Sequence, residues 1–115
     1  MSDDARSGTF REVNERIAEI ADRWEWEDKQ GFLCECVRSE CTRSVLLTRA
    51  QYESVRGGAA RFFTAPGHER AEQDRVVERH EAFVVVEKLG LFQHEAELDD
   101  PRRDAGRAGA AGTTA

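Results

Sequence analysis

The sequence lacks several features that mark common classes of protein. The longest uninterrupted apolar run in the 115-residue chain covers only residues 82–86, whereas a transmembrane helix needs roughly 20 such residues. The first eight residues, MSDDARSG, have neither the basic start nor the apolar stretch of an export signal. We therefore predict that the protein does not associate with a membrane and is cytoplasmic, where thiols stay reduced.

Basic residues are also in short supply. The chain has 17 Lys and Arg against 23 Asp and Glu, which gives a formal net charge of -6. Nucleic acids and anionic lipids attract proteins through compensating cations, so the charge disfavours nucleic-acid binding. The length suits one domain with one small core. We expect an unknown protein partner, and either a monomer or a homodimer.

The N-terminal region predicts an amphipathic helix over about residues 10–24. Thr9 and Glu12 have the spacing of a capping box, in which each side chain satisfies a free backbone N–H at the helix start. An apolar stripe follows at helical spacing, and it comprises Phe10, Val13, Ile17, Ile20, Ala21 and Trp24. Most of the stripe also matches a heptad seam that could form a dimer, but a coiled coil needs roughly three to four heptads and only two are present. A helix lying on a sheet is therefore the favoured interpretation.

The remaining patterns predict a small antiparallel sheet and a second helix. Thr48 and Gln51 repeat the capping-box spacing, and the helix that they begin should end at Gly57-Gly58. Strands are predicted at residues 32–36, 44–47, 61–64, 74–79 and 83–88. The predicted fold is α+β, with the N-terminal amphipathic helix packed on a small antiparallel sheet and a short second helix after a cysteine-bearing hairpin. The predicted domain spans residues 9–92, between a disordered N-terminus at 1–8 and a disordered C-terminal tail at 93–115.

All three cysteines lie within the segment FLCECVRSEC. An odd number of thiols argues against a closed disulfide framework. In an extended strand Cys34 and Cys36 point to the same face and Glu35 to the other, and Cys41 can fold back toward them from the loop. Closely spaced thiolates repel one another unless a cation lies between them, and zinc accepts four tetrahedral ligands from Cys and His. The alternative is three reduced, buried thiols without a metal.

The fourth ligand must come from outside this segment. His68 follows Pro66-Gly67, in a turn that can aim its side chain inward. His80, at the predicted turn of the last hairpin, and His94, near the C-terminal region, are the alternatives, and Glu40 is a possible oxygen donor. An iron–sulfur cluster usually takes four cysteines, so one chain falls short, and a cluster shared across a dimer is the remaining alternative. The predicted zinc ligands are Cys34, Cys36, Cys41 and His68.

Five motifs occur together along the chain: FREVNERIAEIA, C-E-C-x4-C, L-T-x2-Q-Y-E-x-V-R, A-P-G-H and RVVERHEAFVVVEK. Together they resemble a group of short, uncharacterised bacterial proteins from high-GC genomes, over about residues 10–88. The resemblance implies a site formed by the C-x-C-x4-C and P-G-H residues and implies no activity. Val37 departs from the small residue that the group has directly after the second cysteine.

These features favour a small zinc-binding interaction or regulatory module without enzymatic activity. One alternative is a redox switch based on thiols and zinc, which needs reactive and partly exposed thiolates. Another is a small metal-dependent enzyme, which needs a free coordination position on the metal. The last is a nucleic-acid-binding zinc module, which the net charge disfavours.

Overall fold

An N-terminal helix, two small antiparallel sheets and two further short helices make up the computed structural model, which describes residues 3–38 and 40–102. The predicted α+β class is confirmed, although the strands form two sheets rather than one. Among the described residues, no helix is both long and apolar enough to cross a bilayer. The elements in chain order are α1 (Asp3–Arg23), β1 (Gln30–Leu33), β2 (Ser44–Leu47), α2 (Arg49–Val55), β3 (Arg61–Thr64), β4 (Asp74–Arg79), β5 (Val84–Lys88) and α3 (Gly90–Leu98).

The two sheets are the β1–β2 hairpin and a three-stranded sheet in the order β3-β5-β4. Val84, Val85 and Val86 of the central strand β5 are all buried, as expected for a strand that is covered on both faces. Val85 packs in one apolar cluster with Phe32 of the hairpin, while Val84 and Val86 pack in a second cluster with Phe62. Because successive side chains of a strand point to opposite faces, β5 contributes to both clusters.

The face of α1 that packs against the protein contains only part of the predicted apolar stripe, because Ala21 is buried and Ile17 packs partly against the core. Val13 is 40% exposed, Ile20 44% and Trp24 65%, whereas Arg11 and Asn14 are fully buried. The physical reason is that these polar side chains find specific partners. The Arg11 guanidinium donates to the carbonyl oxygens of Ala59 at 2.6 Å and Ala96 at 2.7 Å, and it lies 4.4 Å from the centre of the Phe62 ring.

Glu15 is a further buried polar residue of α1. Its carboxylate accepts hydrogen bonds from the Tyr52 hydroxyl at 3.2 Å and from Arg56 Nε at 3.3 Å. Arg102 Nη2 donates to the same carboxylate at 2.9 Å. Burial opposes ionisation here, but the hydrogen bonds from Arg102 and the positive charge of Arg56 hold the pKa of Glu15 below its ordinary value. The contact between Arg102 and Glu15 thus links the C-terminal end of the described residues to α1.

Both predicted domain boundaries differ from the structure. Residues 3–8 are helical and Ser7 is buried, so α1 begins before Thr9, which is not its N-cap. Residues 93–98 belong to α3, and Arg56 pairs with Asp100, so the predicted tail begins too early. Ala96 is the buried residue of α3, which explains why apolar periodicity did not predict this helix. The predicted disorder of residues 1–2 and 103–115 lies outside the described part of the chain.

The two candidate capping boxes provide a direct test of the helix starts. Thr48→Ala should lower the free energy of unfolding by about 1 kcal/mol, because Thr48 Oγ1 accepts from the Gln51 backbone N–H and the Gln51 side chain accepts from the Thr48 N–H. Thr9→Ala, the matched control, should change it by less than about 0.5 kcal/mol, because Thr9 is an exposed residue within α1. Urea unfolding followed by circular dichroism measures both, and equal losses would contradict a helix start at Asp3.

Candidate metal centre

The segment that carries the first two cysteines is a loop rather than a strand. β1 ends at Leu33, so the prediction of a strand over residues 32–36 was too long. The Cys34 N–H still donates to the Arg43 carbonyl across the hairpin at 2.9 Å, but the next N–H, that of Glu35, donates to the Phe63 carbonyl in β3 at 3.1 Å. The chain therefore passes from one sheet to the other between the two cysteines.

The buried carboxylate of Glu35 holds this crossing in place. It accepts hydrogen bonds from Asn14 Nδ2 at 2.8 Å and from the Phe63 backbone N–H at 3.2 Å. Asn14 also pairs with both backbone groups of Leu33, each at 2.8 Å. Complete burial raises the pKa of Glu35 to about 7, although the hydrogen bonds oppose the shift. The carboxylate thus contacts α1 and β3 instead of the thiols.

His68 is the last residue of a tight turn directly after β3. The His68 N–H donates to the Ala65 carbonyl at 3.0 Å, and Gly67 has a φ of 87°. Proline at the second position and a positive φ at the third identify a type II turn, in which glycine is favoured. Arg38 Nη2 donates to the Gly67 carbonyl at 3.0 Å, which joins this turn to the cysteine loop. The turn predicted at residues 65–68 is confirmed.

The three sulfurs and the imidazole converge on one point between the loop and the turn. The four ligand atoms of Cys34, Cys36, Cys41 and His68 all lie within 4.8 Å of one another. His68 Nδ1 is 3.7 Å from Cys34 Sγ and 3.6 Å from Cys41 Sγ. Cys34 and Cys36 are buried, whereas Cys41 and His68 are partly exposed. The structure therefore brings together all four residues that were predicted as ligands.

The pKa values of the two buried thiols shift in opposite directions. The hydrogen bond with Cys34 lowers the pKa of Cys36 to about 4, and His68 and the Arg38 backbone N–H act in the same direction. The same hydrogen bond, together with burial, raises the pKa of Cys34. The Ala65 N–H also donates to Cys34 Sγ at 3.1 Å. Because three adjacent thiolates would repel one another, the cluster holds full negative charge only with a cation among them.

The alternative ligands lie elsewhere. His80 Nε2 is 2.9 Å from the Glu78 carboxylate, and its ring stacks on Phe83 with 4.3 Å between the ring centres. His94 is exposed on α3, and Glu40 is exposed in the cysteine loop. Among the described residues, none of these three belongs to the group that could hold a metal ion.

Sequence reasoning missed the residues that position the site. Asn14, Arg38 and Ala65 were not singled out, although each contacts the loop or the turn. A usable signal existed for Asn14, because polar residues at positions 7, 11, 14 and 15 recur at helical spacing beside the apolar stripe. The backbone donor of Ala65 and the reach of Arg38 have no counterpart in the sequence pattern.

Two glutamates of the cysteine loop form a matched pair for mutation. Glu35→Gln should lower the free energy of unfolding by about 1–3 kcal/mol, because the amide replaces one of two acceptor oxygens with a donor facing Asn14 or the Phe63 N–H. Glu40→Gln should change it by less than about 0.5 kcal/mol because Glu40 is exposed. Chemical denaturation of both variants measures the difference, and an unaffected Glu35→Gln protein would refute the anchoring role.

Comparison with known proteins leaves the site to be interpreted from its own geometry. No family model, no curated protein and no solved structure matches the chain.

Proposed function

We propose that the protein is a small zinc-binding interaction or regulatory module in which the metal has a structural role. The observation that carries this proposal is the spacing of the donor atoms. With Zn–S bonds of about 2.3 Å and Zn–N bonds of about 2.0–2.1 Å, tetrahedral angles place a nitrogen and a sulfur about 3.6 Å apart. His68 Nδ1 lies 3.7 Å and 3.6 Å from the sulfurs of Cys34 and Cys41.

The donor types favour zinc over other metals. Three thiolates and one imidazole form a soft donor set, which suits zinc, whereas calcium and magnesium prefer oxygen ligands. Iron–sulfur clusters usually require four cysteines, and the chain has three. Backbone N–H groups near the sulfurs, such as that of Ala65, would orient the thiolates and spread their charge in the way that outer contacts do in metal sites.

Zinc in this position would connect parts of the chain that no strand pairing connects. Cys34, Cys36 and Cys41 lie in the β1–β2 loop, whereas His68 follows β3 in the other sheet. Because a structural metal contributes its binding free energy to folding, it stabilises a small chain whose apolar core is limited. The ion would thus hold the two sheets in one arrangement and keep the surface around the loop fixed for a partner.

The position of His68 favours this structural role over catalysis. A catalytic zinc keeps one coordination position for water or substrate, whereas a structural zinc has four protein ligands. Here the imidazole nitrogen lies within 4.8 Å of all three sulfurs, so a zinc bound among them would have four protein ligands. The exposed surface near the site, which includes Arg38 and Glu40, is then available for contacts with another protein.

A second candidate function, a redox switch, is favoured by the partial exposure of Cys41. A peroxide would oxidise the Cys41 thiolate to a sulfenic acid, with hydroxide as the product of O–O cleavage. A second thiolate, from Cys34 or Cys36, would then attack that sulfur, form a disulfide and release hydroxide. The four ligand atoms lie within 4.8 Å of one another, and loss of two thiolate ligands would release the zinc.

Metal content and affinity test the structural proposal. Protein purified without a histidine tag should contain one zinc per chain by elemental analysis. His68→Ala should weaken zinc binding by at least about a hundredfold, because removal of even an outer contact costs up to that factor. Chelator competition measures the affinity, and removal of zinc should lower the thermal midpoint of the unmutated protein.

His80→Ala is the matched control for His68→Ala. It removes a histidine that contacts Glu78 and Phe83 and should leave zinc affinity unchanged. Cobalt substitution adds a spectroscopic check, because thiolate-to-cobalt charge transfer should weaken in each Cys→Ser variant. Metal-free protein with an unchanged thermal midpoint in the presence of chelator would overturn the proposal.

The redox candidate has a separate test. A small excess of hydrogen peroxide should release zinc, detected with a chromogenic chelator, and a phosphine reductant should restore zinc binding. Full retention of zinc at modest peroxide excess would contradict the switch while leaving the structural metal in place.

A further inference from the structure

Four of the six residues of the predicted apolar stripe, namely Val13, Ile17, Ile20 and Trp24, form its surface part beside the buried face of α1. Ile17 packs partly against the core, whereas Val13, Ile20 and Trp24 are 40%, 44% and 65% exposed. Because the residues are spaced three or four positions apart, they form one continuous row along α1 that ends at Trp24, directly after the last helical residue. An exposed apolar row of this kind, bordered by charged residues, is typical of a surface that contacts another protein.

A charged row borders the stripe on the flank opposite Asn14 and Ala21. It consists of Glu12, Arg16, Glu19 and Arg23, all of them exposed. Arg16 lies next to Val13 and Ile20, because it is three and four positions from them along the helix. The charges alternate along the row in the order acid, base, acid, base. When a second copy runs in the reverse direction, each acidic residue of one row therefore lies opposite a basic residue of the other.

We propose that a second copy of this chain docks antiparallel along the apolar stripe of α1. In an antiparallel pair the charged row of one chain lies beside the charged row of the other. Ile17 beside Ile20 of the second copy brings Val13 beside its Trp24. The charged rows then match within two residues, or about 3 Å of helix rise. Glu12 faces Arg23 of the second copy, and Arg16 faces its Glu19.

A parallel pair does not offer this match. Two parallel helices related by a two-fold axis place opposite flanks of the stripe side by side. The other flank of the stripe carries Asn14 and Ala21, which are fully buried in the chain's own body. The charged row would therefore meet a flank that is already covered. Charge complementarity and accessibility both favour the antiparallel arrangement.

Measuring the oligomeric state tests whether a second copy docks on the stripe. Sedimentation velocity over a range of concentrations should show a monomer–dimer equilibrium for the zinc-loaded, unmutated protein. Ile20→Glu should make the protein monomeric at every concentration, with an unchanged far-ultraviolet spectrum. Leu91→Glu is the matched control, because Leu91 is 81% exposed on α3 outside the stripe, and this variant should dimerise normally.

Charge reversal tests the orientation. Glu19→Arg and Arg16→Glu should each weaken the dimer about tenfold, because each converts two attractive pairs into repulsive ones. An equimolar mixture of the two variants should dimerise with about the unmutated affinity, because Arg16 of one chain then meets a glutamate of the other, and the new arginine meets the new glutamate. Rescue in the mixture cannot come from contacts within one helix, where the like charges remain.

Two results would overturn the proposal. An unmutated protein that is monomeric at the highest attainable concentration would show that the second copy is not the occupant, whether residues beyond Arg102 or a different protein cover the stripe. A dimer that Ile20→Glu abolishes but that the mixed variants fail to restore would refute the antiparallel pairing. Both results are independent of the proposed metal role, because each variant can be assayed for zinc content in parallel.

Discussion

The segment of Cys34, Glu35 and Cys36 crosses from the β1–β2 hairpin to β3, and the remaining structure depends on how this crossing is held. Its two cysteines belong to the group of three sulfurs and His68, whereas the carboxylate between them accepts hydrogen bonds from Asn14 and the Phe63 backbone. The segment is therefore fixed on both sides, by hydrogen bonds to α1 and β3 and by the contacts among the sulfurs and His68. This arrangement places thiols next to a histidine that is 34 residues from Cys34 along the chain.

The sulfur cluster and the glutamate differ in how their charge is stabilised. Glu35 is completely buried, and its raised pKa allows it to be neutral near neutral pH, which limits the cost of burial. The two buried cysteines shift in opposite directions, because the hydrogen bond between them lowers the pKa of Cys36 and raises that of Cys34. A divalent cation bound at the cluster would remove this difference, since it would stabilise all the thiolates at once.

The parts of the structure that could be predicted from the sequence are those fixed by local chemistry. The Thr48 capping box, the strands β2, β3 and β4 and the turn at residues 65–68 each depend on neighbouring residues. The four predicted site residues followed from their chemical type and the turn. Predictions failed where distant contacts decide: the helix start before Thr9, the helix α3 and the buried face of α1. Apolar periodicity does not register a face that is buried through hydrogen bonds.

The orientation of α1 follows from comparing two free energies. Rotating the helix to bury its apolar stripe would gain about 1.5–3 kcal/mol for each large side chain that is newly covered. The same rotation would remove Asn14 from the Glu35 carboxylate and from the Leu33 backbone. It would also remove the Glu15 carboxylate from Arg56. Each orphaned neutral group costs about 1–3 kcal/mol, and the buried Arg56 would keep only its ion pair with Asp100. The polar contacts outweigh the stripe, so the helix keeps its apolar residues at the surface.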